Sequence, residues 1–155
     1  MVNQPFNKFI PQHELLKMNK KPIIVVDDDK DDLEFLQQAF SELNVENEII
    51  VFNDGLKFLE YIKATKNKIF FILCDINIPK IDGLELKKII FADERLRIKC
   101  IPFIFLSSSG ASSSIMKAYS YGVQGYFIKP NTLEKLKSIL DVMITYWSES
   151  QHPNS

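Results

Sequence analysis

The chain has 155 residues, a formal net charge of −1, 46% hydrophobic and 25% charged residues, the size and composition of about one globular domain with a substantial core. A pI near 6.1 with no dense block of lysine and arginine argues against nucleic acid or an acidic membrane surface as the partner. No stretch reaches the roughly 18–20 apolar residues needed to span a bilayer, and residues 1–20 carry Pro5 and Pro11 without the apolar core of a signal peptide. Cys74 and Cys100 sit in or beside apolar runs without metal or redox spacing, which favours reduced, buried thiols and a cytoplasmic location.

Residues 1–20 show no clear period and are expected to be a flexible tail, with a natural-looking start near Met18. From residue 23 two textures alternate. Short runs rich in Ile, Val and Phe at 23–26, 49–52, 69–74, 101–106 and 126–128 suit buried parallel strands, which are apolar on both faces. Between them lie stripes at helical spacing: Leu33, Leu36, Phe40 and Leu43; Leu56, Leu59 and Ile62; Leu86, Ile89 and Ile90; Ile115, Met116 and Tyr119. The longest runs through Leu133, Leu136, Leu140, Met143, Ile144 and Trp147. Asp29 or Asp31, Asp54 and Asn131-Thr132 offer N-cap side chains, with Glu134 as a capping-box partner to Asn131. Five strands alternating with five helices predict an α/β, doubly wound parallel sheet over residues 21–148, followed by a C-terminal tail at 149–155.

In such a sheet, ligands bind at the carboxyl ends of the strands, where the strand order reverses. The first run ends in Asp27-Asp28-Asp29, the third in Asp75, the fourth in Ser107 and the fifth in Lys129-Pro130. One aspartate after a strand is a common turn or cap residue. Two acidic ends and one lysine end at a single sheet edge form a chemical set. Clustered carboxylates repel unless a cation compensates, and hard oxygen ligands suit magnesium. A carboxylate beside that ion can attack phosphorus, with the ion and a lysine neutralising the charge on the transferring group. The Ser107 hydroxyl could hydrogen-bond a phosphoryl oxygen.

Four fragments, in order and spacing, resemble the response-regulator receiver family over about residues 21–148: Ile-Ile-Val-Val-Asp27-Asp28-Asp29; Phe-Ile-Leu-Cys-Asp75-Ile-Asn77-Ile-Pro79-Lys-Ile-Asp-Gly83; Pro102-Phe-Ile-Phe-Leu-Ser107-Ser108; and Gly125-Tyr126-Phe-Ile-Lys129-Pro130. The resemblance implies the flavodoxin-like receiver fold, a magnesium cofactor and Asp75 as phosphoacceptor. It implies Asp28 as a direct magnesium ligand, Asp27 as a ligand through water, and Asn77 as donor of its backbone carbonyl. Ser107 and Tyr126 would be the switch pair, Lys129 the phosphoryl partner, and Pro130 the partner in an often cis peptide bond. Gly83 and Gly125 are expected to be structural, permitting turns with positive φ. The run from Ser107 to Ser114 is unusually small and polar for the loop into the fourth helix.

The implied donor is a sensor histidine kinase or a phosphotransfer protein, and the protein is expected to switch conformation and signal to a downstream partner; an alternative is an intermediate in a phosphorelay. Trp147 and Tyr146 on the last helix suggest an interaction surface, including a homodimer, and the long final helix resembles stand-alone receivers associated with phytochrome-like kinases. Only eight residues follow Trp147, too few for an output domain. A haloacid-dehalogenase-type phosphatase would want Thr or Val where Asp31 stands, and a late acidic pair absent after Lys129. A receiver-like binding module that no longer phosphorylates would have lost the acceptor, the acidic pair or the lysine, and nucleotide binding lacks a glycine-rich loop. His13 and His152 have no assigned role.

Overall fold

An apolar run that faces both ways is stable only if both faces of its strand are covered. In β1 (Ile23–Val26) all four side chains are buried: Ile24 and Val26 enter one hydrophobic cluster, Ile23 and Val25 the other. The computed structural model describes residues 20–155 and continues through α1 (Lys30–Glu42), β2 (Ile49–Phe52), α2 (Gly55–Ala64), β3 (Phe71–Cys74), α3 (Gly83–Ala92), α4 (Glu94–Lys99), β4 (Phe103–Ser107), α5 (Ser112–Ser120), β5 (Gly125–Ile128) and α6 (Leu133–Glu149). All strand pairings are parallel, in the order β2-β1-β3-β4-β5. Residues of α1 and α6 cover one face through Leu36, Phe40, Leu136 and Leu140. Residues of α2, α3, α4 and α5 cover the other through Phe58, Leu86, Leu96 and Ala118. No helix among the described residues is long and apolar enough to cross a membrane.

The doubly wound parallel sheet is as expected, but six helices flank it, not five. Asp93 is the reason: it ends α3, and its side chain accepts the Leu96 N–H at 3.0 Å to start α4. One capping carboxylate thus divides the segment between β3 and β4, and the six-residue α4 buries only Leu96, too little to leave a periodic stripe. The stripe predicted for α5 is also not core. Met116 is 73% exposed and Tyr119 faces solvent, while Ala118 is the buried residue of that helix. Asp29 and Asp54 cap α1 and α2 as expected, accepting the N–H groups of Asp32 and Lys57. The cap of α6 is Thr132 instead of Asn131, so its third helical residue is Lys135 and Glu134 has no capping-box role.

Neither Gly83 nor Gly125 has positive φ; among the glycines that conformation belongs to Gly122 (φ 74°). Gly83 is required by a close approach. A Cβ there would lie 2.3 Å from the Asp75 carbonyl oxygen, a backbone atom that cannot turn away. The cis peptide bond among the described residues is Ile101–Pro102, so the bond before Pro130 is trans. The expected N-terminal tail, 1–20, lies outside the described residues except for Lys20. Residues 149–155 do not form a free tail. Asn154 is buried, its Nδ2 donates to the carbonyls of Lys99 (2.9 Å) and Ile101 (2.6 Å), and the Lys21 ammonium donates to its carbonyl. His152 stacks edge-on against Trp147 at 5.7 Å.

Candidate phosphoacceptor site

The strand order reverses across β1 and β3, and their next residues, Asp27 and Asp75, are both buried at the carboxyl edge of the sheet. The ladder itself holds them. Asp27 donates its N–H to Phe52 and Asp75 donates its N–H to Val26, each extending a parallel pairing by one residue. Lys129 is placed the same way, its N–H donating to the Ser107 carbonyl at 2.8 Å. Three strand ends therefore converge because the backbone pairing runs one step beyond each apolar run.

The Lys129 ammonium lies among three carboxylates. It donates to Asp27 Oδ2 at 2.9 Å, Asp75 Oδ2 at 2.9 Å and Asp32 Oδ2 at 2.6 Å. Burial opposes the charged lysine, yet the hydrogen bonds to Asp27, Asp32 and Asp75 outweigh it and hold Lys129 above the usual lysine value. Burial likewise pushes the Asp27 carboxyl up, against the lowering by the Lys129 and Asp29 hydrogen bonds. One carboxylate oxygen from each of Asp27, Asp32 and Asp75 lies within 4.8 Å of the others, so the donor set is all oxygen and suits a hard cation.

The second oxygens of the two buried carboxylates are fixed by backbone. Asp27 Oδ1 accepts the Asp29 N–H at 3.0 Å, and Asp75 Oδ1 accepts the Ile76 N–H at 2.7 Å. Gly83 donates its N–H to the Ile76 carbonyl at 2.7 Å, which ties the start of α3 to the acceptor loop. Asn77 is exposed on that loop, and its carbonyl accepts no hydrogen bond among the described residues. Ser107 is fully buried at the end of β4, its Oγ accepting the Ser109 N–H at 3.2 Å. The Tyr126 hydroxyl donates to the Ser109 carbonyl at 2.6 Å, linking β5 to the serine-rich loop.

The sequence-predicted residues thus divide. Asp27, Asp75 and Lys129 meet directly, with Ser107 and Asn77 on the adjoining strand end and loop. Asp28 is exposed and stands apart from the three converging carboxylates. Asp32 was not among the predicted site residues. Its signal was its place four residues before Leu36 and eight before Phe40, which puts it on the buried stripe of α1. Pro130 borders a cavity of about 20 Å³ together with Asp32, Leu36 and Leu106.

Residues 23–141 match the response regulator receiver domain. A probable methanogenesis regulatory protein, FilR2, from Methanothrix harundinacea is 31% identical over 129 residues, covering 81% of this chain and 82% of that protein. The crystal structure of a phosphorylated cyanobacterial phytochrome response regulator, RcpA, superposes with a TM-score of 0.75 at 29% identity, covering 86% of this chain and 98% of the other. The Mn(2+)-bound response regulator Rcp1 superposes with a TM-score of 0.73 at 26% identity, covering 85% and 97%. With the acidic pocket, the strand order and the family match in agreement, this chain belongs to the response regulator receiver domain family of two-component signalling.

Proposed function

We propose that this protein accepts a phosphoryl group on Asp75 from a phosphohistidine of a sensor kinase or phosphotransfer protein, and signals through the resulting change at Ser107 and Tyr126. The observation that carries the reading is the Lys129 ammonium, 2.9 Å from both Asp27 and Asp75 at the point where the strand order reverses. The Asp75 carboxylate oxygen attacks phosphorus, the P–N bond to the donor histidine breaks, and the imidazole leaves with a proton, yielding an acyl phosphate. Asp27, Asp28, Asp75 and the Asn77 carbonyl would hold a magnesium ion, whose chemistry is to neutralise charge on the phosphoryl oxygens. The all-oxygen cluster of Asp27, Asp32 and Asp75 supports a hard cation at this sheet edge, as does the manganese in the Rcp1 structure. Lys129 neutralises a phosphoryl oxygen, and the Ser107 hydroxyl donates to another.

Readout is assigned to α5, β5 and α6, where Met116, Tyr119, Ile128, Val142 and Tyr146 are exposed. A face of this kind suits a downstream protein or a second copy of the chain. The receiver is assigned to residues 21–148, with the protein acting in the cytoplasm. Incubation of the full chain with acetyl phosphate and magnesium should add one hydrolytically labile phosphoryl group, detected by intact mass. Asp75→Ala or a chelator should abolish the adduct. Undiminished labelling of Asp75→Ala would overturn the assignment.

A further inference from the structure

The geometry points to Asp32 as a positioning residue that competes with the incoming phosphoryl group for the Lys129 ammonium, and so sets how tightly the protein holds that group. This deepens the phosphoacceptor reading of Asp75 and rests on it.

An ammonium has three N–H donors, and all three are engaged by Asp27, Asp32 and Asp75. When Asp75 Oδ2 attacks phosphorus, the donor it held passes to the phosphoryl group, while the other two stay with Asp27 and Asp32, so the phosphoryl group shares Lys129 with these two carboxylates. Asp27 resists displacement: it is buried, and its other oxygen accepts the Asp29 N–H. Asp32 accepts no side-chain hydrogen bond other than that from Lys129 among the described residues, and its side chain is 40% exposed. It is the partner that can turn to water at the smallest desolvation cost.

Its position is set by the helix start. Asp29 caps α1 by accepting the Asp32 N–H at 3.0 Å, which fixes the first turn and directs this carboxylate toward the sheet edge. A second phosphoryl oxygen can reach the ammonium only as Asp32 turns away from it. A phosphoryl group that shares its lysine with a charged hydrogen-bond partner is held less tightly than one that has the ammonium to itself.

The test is isothermal titration of the intact, magnesium-loaded protein with beryllofluoride, a stable phosphoryl mimic, for wild type, Asp32→Asn, Asp32→Glu and Asp31→Asn. Removing a partly exposed ion-pair partner should tighten binding in Asp32→Asn about fivefold. Hydrolysis of its aspartyl phosphate should slow by a similar factor. Asp32→Glu restores the carboxylate and should return to within about twofold of wild type. Asp31→Asn removes a charge from the exposed side of the same helical turn and should match wild type. Unchanged or weaker binding by Asp32→Asn overturns the inference. So does equal tightening by Asp31→Asn, which marks a general field effect. A wild-type protein that binds no beryllofluoride and accepts no phosphoryl group overturns the phosphoacceptor reading itself.

Discussion

Two lysines are withdrawn from water in this protein, and their surroundings give them opposite character. Lys129 reaches three carboxylates within 2.9 Å, and its charge is held above the usual lysine value despite burial. Lys87, on α3, is 1% exposed and makes no salt bridge among the described residues. Its ammonium faces the rings of Phe103 at 5.5 Å and Phe91 at 5.7 Å. Burial is the main cause that pulls its pKa down to about 8, opposed by an upward pull from Cys100 and aided by a smaller like-charge repulsion from Arg97. Burial pushes the Cys100 thiol up to about 12, so it supplies little counter-charge at neutral pH. Desolvation acts against charge at both sites; the number of anionic partners decides the outcome. At Lys129 three carboxylates maintain the charge at the sheet edge, whereas at Lys87 two aromatic faces offset only part of the burial cost.

The contrast is sharpened most by removing Lys129. Lys129→Met leaves Asp27 and Asp75 buried against each other without their cation, and folding stability should fall by about 3 kcal/mol in urea titrations at neutral pH without metal. The rate of phosphorylation by acetyl phosphate should fall about a hundredfold or more. Stability equal to wild type would show that the three carboxylates do not depend on the lysine.

Lys87→Met should move stability the other way, raising it by about 2 kcal/mol at pH 7, because a thioether of similar length fills the space without a charge to desolvate. The pH dependence carries the same sign. Between pH 8 and 10.5 the unfolded chain keeps the Lys87 proton while the folded chain has lost it, so stability rises with pH across that window. Below pH 8 both states are protonated and the full penalty stands; above 10.5 both are neutral and it disappears. Urea titrations of wild type and Lys87→Met across this range should converge toward the alkaline end, and parallel curves would remove Lys87 as the source.

The smallest effect is expected at the rings. Phe91→Leu, on the rim, should cost about 0.5–1 kcal/mol at pH 7 through the lost cation–π contact and lower the Lys87 pKa further, read from the Nζ resonance in a pH titration. A Lys87 pKa that stays put would mean that Phe103 alone faces the ammonium effectively.

Much of the architecture was legible from short-range features. The apolar runs at Ile23–Val26 and Ile49–Phe52 are strands with those bounds, and Asp29 and Asp54 are caps. Strand and cap signals lie within a few residues of the structure they specify. Less visible were features in which one residue serves two elements, such as Asp93 between α3 and α4, or in which an apolar stripe faces outward, as with Met116 and Tyr119. Gly83 is another case, since its requirement comes from the Asp75 carbonyl, eight residues away in sequence and 2.3 Å from where its Cβ would stand.

By itself the sequence determined which chemistry could be assembled, because a charged residue that directly follows a buried strand must emerge at that strand's carboxyl end. Asp27, Asp75 and Lys129 follow this rule, since each backbone is held by the ladder of the strand before it. Only the tertiary structure decided which carboxylates of the Asp27–Asp32 segment converge. After Asp27 the chain leaves the sheet, and the phase of α1 against β1 and α6 turns Asp32 inward while Asp28 and Asp31 face solvent. A helix docks on its whole apolar stripe, Leu36 and Phe40 included, so the direction of one carboxylate near its start follows from packing farther along the helix.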